Sequence, residues 1–512
     1  MTELKGYAGN ILRVNLTTGD VSKTPSKPMV DLFVGGRGLA AKIYWDEVPP
    51  DVDACDPENR LIFATGPVSA TTRMAGSRWQ VCGKSPIHNL FSYCNMGGSW
   101  GAQLKNAGND ALVIHGKSEK PVYLFIEDDT IELRDASHLM GKGAISCREA
   151  MKDELGKSYR IATIGPAGEN RVSCSIFLAD SDSSGSSGLA SVMGSKNLKA
   201  IAVKGSGKVD VADPDKIKAL ADTIGKMTGR PGHPMGSTSQ YIPREKLKRD
   251  ICMGCGFGCQ RANYEGKSGK KGKYFCHTAV FYETRAYRYH GEWNEVAFEA
   301  NKLCDDYGVD SHGMEVMVAF LVRAARANLI TEEDSGLPLS KIGSLEFIET
   351  LIRKISTREG FGNVLADGVH KAAAAIGPEA EKLISHYITR TGYNPVYGAR
   401  LYLTTGLFWA MEPRLPIQLL HEVSVPGMQW ASQAQGAPTG MTSDVIRGIG
   451  KKFWGSEIAA DFSTYEGKAR AAVVIQDREY VKESLIICDF IFPIFRSLIS
   501  DDGVGDPTIE NQ

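Results

Sequence analysis

The sequence of 512 residues has no apolar run as long as a membrane span, which needs about 20 residues. Its start, Met1-Thr2-Glu3-Leu4-Lys5-Gly6-Tyr7, lacks the charged-then-apolar pattern of a secretory signal. Neither charge is in excess: 59 lysines and arginines face 60 acids, so no basic surface argues for nucleic acid or an anionic membrane. Low-complexity tracts and clear repeats are also missing. These absences point to a cytoplasmic globular protein, and its length to roughly two to four domains. Cysteine is present, but the eleven residues are an odd number scattered along the chain. That excludes a disulfide framework and suggests reduced thiols, a few of them recruited to metal.

The first 206 residues read as β-rich. Leu61–Ala64, Ala111–Ile114, Val122–Ile126 and Ala200–Val203 are apolar runs of strand length with turn-rich borders. Three glycine-rich segments lie among them: Gly35-Gly36-Arg37-Gly38, Asn95-Met96-Gly97-Gly98 and Gly165-Pro166-Ala167-Gly168-Glu169-Asn170. None fits the dinucleotide fingerprint G-x-G-x-x-G between a strand and a helix. Taken singly each reads as a tight turn. Concentrated in one β-rich region, with Arg37, Arg73 and Arg78 able to pair with phosphate, they read as a cofactor cradle. Asp213-Pro214 opens a helical pattern through Ile217, Leu220, Ala221 and Ile224. A linker is expected at 229–243, and helices dominate beyond Glu295. Met314, Met317, Val318, Leu321 and Val322 share one helical face.

Cys252-Met253-Gly254-Cys255-Gly256-Phe257-Gly258-Cys259 has the spacing C-x2-C-x3-C. Three thiolates so close can grip one face of a cubane iron–sulfur cluster, and the interleaved glycines let N–H groups turn toward sulfide. One iron then needs a distant fourth ligand, from Cys276, Cys304 or Cys488. The competing reading is a structural zinc held by three cysteines and a histidine such as His277, although zinc sites more often pair two C-x2-C halves.

Together these segments resemble the tungstopterin aldehyde:ferredoxin oxidoreductase family, which includes class II benzoyl-coenzyme-A reductase catalytic subunits. The matching strings run over nearly the whole chain: Gly35–Ala40, Ser77-Arg78-Trp79, Asn95–Gly101, Leu104–Gly108, Gly165–Asn170, Val192–Ile201, the cysteine cluster, Phe281-Tyr282-Glu283-Thr284, and Asn301–Asp310. The resemblance implies an α+β architecture: an N-terminal two-sheet pterin-binding domain (1–206), a helical domain carrying the cysteine motif (207–405) and a second helical domain (406–512). It implies a tungsten or molybdenum bis-pyranopterin, a 4Fe-4S cluster on Cys252, Cys255, Cys259 and Cys488, and a Mg2+ bridging the pterin phosphates. Arg78, Asn95, Gly97 and Gly98 would contact pterin or phosphate. Asp305, Gly308, Val309 and Asp310 match its D-x-x-G-x-D pterin element. The second element, usually D-x-x-G-L-C, reads Glu483-Ser484-Leu485-Ile486-Ile487-Cys488 here: Glu483 and Ile487 take cofactor positions, and the glycine is lost.

By the same resemblance Glu283 would sit near the metal as a proton-moving carboxylate, with His421 and His290 as further proton carriers. The activity implied is aldehyde oxidation, with electrons passing through the cluster to ferredoxin or an iron–sulfur electron-transfer subunit. The alternatives are reduction of an aryl-coenzyme-A thioester by the same parts and a non-catalytic zinc scaffold. The substrate would be a small molecule, and an oligomer is expected. Glu299 matches a position that binds a second metal at a dimer interface. The serine-rich stretch Ser181–Gly188 stands where relatives carry arginines near phosphate, so binding there should rely on backbone, hydroxyls or magnesium. Asp506-Pro507 reads as a helix start, where relatives continue for roughly a further hundred residues, about a domain's worth.

Overall fold

In the computed structural model, residues 4–71, 74–227, 242, 246–256, 261–274, 277–399 and 402–489 are described. Arg73, most of the expected linker, Cys259, Cys276 and the Asp506 segment lie outside them.

Twelve strands form two six-stranded sheets. The first contains β1 (Asn10–Asn15), β2 (Val21–Pro25), β3 (Leu61–Ala64), β4 (Trp79–Ser85), β5 (Leu90–Met96) and β6 (Ala111–His115), in the order β2-β1-β6-β3-β4-β5. The second contains β7 (Val122–Glu127), β8 (Thr130–Asp135), β9 (Arg160–Ile164), β10 (Phe177–Leu178), β11 (Ser184–Gly185) and β12 (Leu198–Lys204), in the order β11-β10-β9-β12-β7-β8. Each apolar run expected to be a strand is one.

These runs are apolar at every position because both faces of each sheet are covered. Leu61 and Phe63 of β3, and Leu112 and Ile114 of β6, face a core shared with Leu124, Ile126, Ile201 and Val203 of the second sheet. The residues between them, Ile62, Ala64, Ala111 and Val113, pack instead on Leu39, Ala40 and Ile43 of the helix Gly36–Glu47. Tyr123, Phe125, Ala200 and Ala202 do the same for the second sheet against Cys147 and Met151 of the helix Ala144–Leu155. Successive strand residues point to opposite faces, so each run serves two cores. Four rings fix the sheets together: Trp79 lies 4.4 Å from Trp100, and Phe63 lies 5.5 Å from Trp100 and 6.0 Å from Phe177.

Two helical cores follow. One is built on the helices Val296–Tyr307, Ser311–Arg326 and Leu345–Thr357, together with Ala167 and Val172 of the first half. The expected face Met314, Met317, Val318 and Leu321 is buried in it. The other joins Leu403–Met411, Ile417–Ala434, Ser443–Phe453 and Lys468–Leu485. A short three-stranded sheet, β13 (Lys248–Arg249), β14 (Ala262–Glu265) and β15 (Lys271–Lys273), flanks the cysteine segment. No helix among the described residues is long and apolar enough to cross a membrane.

Candidate active site

A cavity of about 520 Å³ opens where the first half meets both helical parts. That is the usual size for a ligand site, and domain junctions are the usual place. Arg78, Asn95 and Ser184 line it from the sheets, Asp305, Val309, Asp310 and His312 from one helical part, and Arg414, His421 and Asp489 from the other.

The Asn95–Gly98 turn ends β5. A Cβ added at Gly97 would lie 2.9 Å from Cys252 Sγ, and the Gly98 carbonyl accepts from the Met253 N–H at 3.1 Å. The turn and the cysteine segment therefore touch, and glycine is needed for that approach. Cys252, Cys255 and Cys488 pack into one cluster with Ile487, roofed by Ile217, Leu220, Ala221 and Ile224 of the helix Pro214–Met227. Arg261 Nη1 lies 3.7 Å from Cys252 Sγ. Of the alternatives for the fourth ligand, Cys304 belongs to the helical core and lines the cavity; it does not join the thiol cluster. His277, the histidine of the zinc alternative, bonds instead through Nε2 to Glu315 Oε2 at 2.6 Å.

Asp489, next to Cys488, carries the contact from the thiols to the cavity. It pairs with Arg78 and accepts from His421 Nδ1 at 3.1 Å. Burial alone would raise the Asp489 carboxyl; the Arg78 guanidinium, and then His421, outweigh it and hold the group well below the usual carboxylate range. Glu283 is buried at the first position of the helix Glu283–His290, but it is not among the residues lining the cavity. His290 is exposed in the last turn of that helix and does not reach the cavity. Glu299 is buried and holds Lys270 at 2.9 Å.

Both pterin-type elements close a helix. Gly308 has φ 77° and donates to the Cys304 carbonyl at 2.9 Å. Asp305 accepts from Lys302 Nζ at 2.6 Å. Asp310 caps the next helix through the His312 N–H and accepts from the Tyr393 hydroxyl at 2.9 Å. In the second element Glu483 accepts from Arg37 Nη1 at 2.8 Å and from Asn95 Nδ2 at 3.2 Å. Arg37 also reaches Glu412 and is stacked between the Tyr93 and Tyr480 rings, 4.0 and 4.1 Å from their centroids.

Cationic side chains also surround the serine-rich stretch. Arg148 and Lys302 hold Asp182, Arg261 donates to the Ser181 carbonyl, and Lys273 Nζ lies 3.1 Å from Ser184 Oγ. Burial pushes the Lys273 ammonium down to about 8, with Asp305 opposing. Nothing in the run Lys270-Lys271-Gly272-Lys273 marks this residue, since such a charge run ordinarily reads as a solvated face. Along β15 burial deepens from Lys271, which is exposed, to Lys273, which is buried.

A pterin-bound metal would meet matching groups here. Asn95 Oδ1 and Asn301 Oδ1 are buried at the cavity wall as acceptors without a hydrogen-bond partner among the described residues. Such atoms suit the ring N–H groups of a bound heterocycle, and the close approach at Gly97 suits a cofactor against the turn. The residues fit.

Family models of aldehyde ferredoxin oxidoreductase match twice: the N-terminal domain over residues 11–205, and domains 2 and 3 over residues 228–506. The chain belongs to the aldehyde ferredoxin oxidoreductase family. It is therefore an oxidoreductase. The tungsten-containing aldehyde ferredoxin oxidoreductase of Pyrococcus abyssi is 35% identical over 420 residues, covering 72% of this chain and 67% of that one. That of Pyrococcus furiosus is 33% identical over 440 residues, 76% of this chain and 71% of that one. Among solved structures, the active-site complex BamBC of benzoyl-coenzyme A reductase, bound to 1,5-dienoyl-CoA, superposes with a TM-score of 0.70 at 29% identity, over 81% of this chain and 70% of that one. The expected two-sheet domain followed by helices is thus the fold of this family member.

Proposed function

We propose that the protein is a tungsten-dependent oxidoreductase that oxidises a small aldehyde with water to the carboxylate, releasing two electrons and protons. The observation that carries this reading is the gathering of Cys252, Cys255 and Cys488 directly behind the Asn95–Gly98 turn and Asp489, so that a cluster there would adjoin the cavity. The tungsten names of the Pyrococcus relatives support the choice of metal. A tungsten bis-pyranopterin would be held by Arg78, Asn95, Gly97 and Gly98 on one side and by the elements at 305–310 and 483–488 on the other. Lys273 and Arg261 would supply the charge for its phosphates, with magnesium between them. When bound, this group supplies two-electron oxygen-transfer chemistry. A 4Fe-4S cluster on the three thiols and Cys259 would pass electrons singly to ferredoxin or an iron–sulfur subunit. His421, on the cavity wall and oriented by Asp489, carries protons beside the substrate, and Glu283 is a second, buried proton-moving carboxylate.

A second reading, reduction of an aryl-coenzyme-A thioester, is favoured by the likeness to the benzoyl-coenzyme A reductase complex. Tungsten, iron and acid-labile sulfide are to be measured first; zinc alone in the purified protein would refute both redox readings. Methyl viologen reduction by a panel of aldehydes then separates the two. His421→Gln should keep tungsten and iron while turnover falls about 100- to 10,000-fold; the same loss in Glu283→Gln with His421→Gln near normal would transfer the proton role to Glu283.

A further inference from the structure

His277 and His312 stand on the cavity wall with Glu315 beside them, outside the elements at 305–310 and 483–488. Each offers one ligand atom, and these lie within 4.8 Å of one another. The two imidazole rings are 4.7 Å apart. His312 and Glu315 are one turn apart on the helix Ser311–Arg326, so they share a face. His277 opens the short helix packed across from them. Two adjacent imidazoles are a costly arrangement: burial, then the neighbouring His277, lower the basicity of His312. One ring atom is also left without a partner among the described residues, for His277 Nδ1 is buried and makes no hydrogen bond with them. Asn394 Oδ1 accepts from His312 Nε2 and fixes that ring, the orienting contact that metal-binding histidines ordinarily have.

We propose that this triad binds one divalent transition ion of the zinc class. Two neutral imidazoles and one carboxylate match the donor set of open zinc and related sites, which leave a coordination position for water or substrate. Binding would replace the hydrogen bond between His277 Nε2 and Glu315 Oε2. His277 and His312 both line the cavity, so an ion held there would adjoin the space proposed for the substrate. The ion is separate from any tungsten or iron, because none of the three residues belongs to the segments assigned to those groups.

The test is a Co2+ titration of the purified, chelator-treated holoenzyme, followed by ligand-field absorption, with zinc, tungsten and iron determined on the same samples. One equivalent of Co2+ with visible ligand-field bands is expected. His312→Ala and Glu315→Gln should each weaken binding by at least about 10- to 100-fold with tungsten and iron unchanged. Absence of the bands at excess Co2+ overturns the proposal, as does undiminished affinity in both variants. If His312→Ala does not fold, the half-buried Glu315→Gln and the wild-type spectrum still decide. Because tungsten and iron are measured separately, failure here is distinguishable from failure of the proposed redox function.

Discussion

The elements Asp305–Asp310 and Glu483–Cys488 end two different helices with the same backbone and different residues. In each, the fourth and fifth residues donate to one carbonyl: Gly308 and Val309 to Cys304, Ile486 and Ile487 to Lys482. In each, the fourth residue is left-handed, with φ 77° at Gly308 and 67° at Ile486. In each, the leading acid is buried against a cation, Asp305 on Lys302 and Glu483 on Arg37. Glycine adopts this conformation freely. A β-branched side chain does so at a cost of about 1–2 kcal/mol. The difference teaches that packing can hold a helix end which intrinsic preference opposes. Ile486 is 1% exposed, and its side chain lies over Gly36 and Gly66, at whose Cβ positions it would come within 2.7 and 2.8 Å. The side chain fills the space those glycines leave.

The largest effect is expected where the two anchors differ most. Asp305 is held by a lysine one turn away, whereas Glu483 is held by Arg37, which also serves Glu412 from the far end of the sequence. Arg37→Met leaves two buried carboxylates without their cation. Loss of about 3–5 kcal/mol is expected in chemical denaturation; a loss below 1 kcal/mol would show the second element to be held by packing alone. Next comes exchange of the key residue. Gly308→Ile adds the left-handed cost of about 1–2 kcal/mol to overpacking of about 1–3 kcal/mol, because a Cβ there meets the Gly165 nitrogen at 2.9 Å. An unchanged midpoint in Gly308→Ile would break the contrast drawn between the two elements. Smallest is Ile486→Gly, in which relief of about 1–2 kcal/mol offsets part of the about 2–5 kcal/mol lost with a buried large side chain. A net loss of about 1–3 kcal/mol is expected by the same measurement. A gain would mean that the side chain is tolerated and contributes no support.

Much of this was legible in the sequence because it is local or periodic. Apolar runs marked the strands, and the 3.6-residue pattern marked Pro214–Met227 and Ser311–Arg326. The ordered motifs indicated the family. Partnerships across hundreds of residues were not legible, since no short pattern links Arg37 to Glu483 or Arg78 to Asp489. Lys273 was hidden in a lysine run, and its place beside Ser184 belongs to space, not to sequence register. His277 was noticed only as a companion for cysteines. His312 carried no signal, as a single histidine after a capping aspartate ordinarily reads as packing.

The stacking of Arg37 between Tyr93 and Tyr480 has a consequence for how the chain acquires its shape. Domains generally fold from the N-terminus as synthesis proceeds. The two sheets and the helix bearing Arg37 leave the ribosome long before Glu412, Tyr480 and Glu483 exist. During that interval the guanidinium has Tyr93 beneath it but neither of its two carboxylates. The N-terminal half is therefore born with an open ionic socket that only the last described helix can close. An excised sheet domain should expose that socket to water and hold the Gly36–Glu47 helix loosely, while arrival of the distal helix closes the socket in one step.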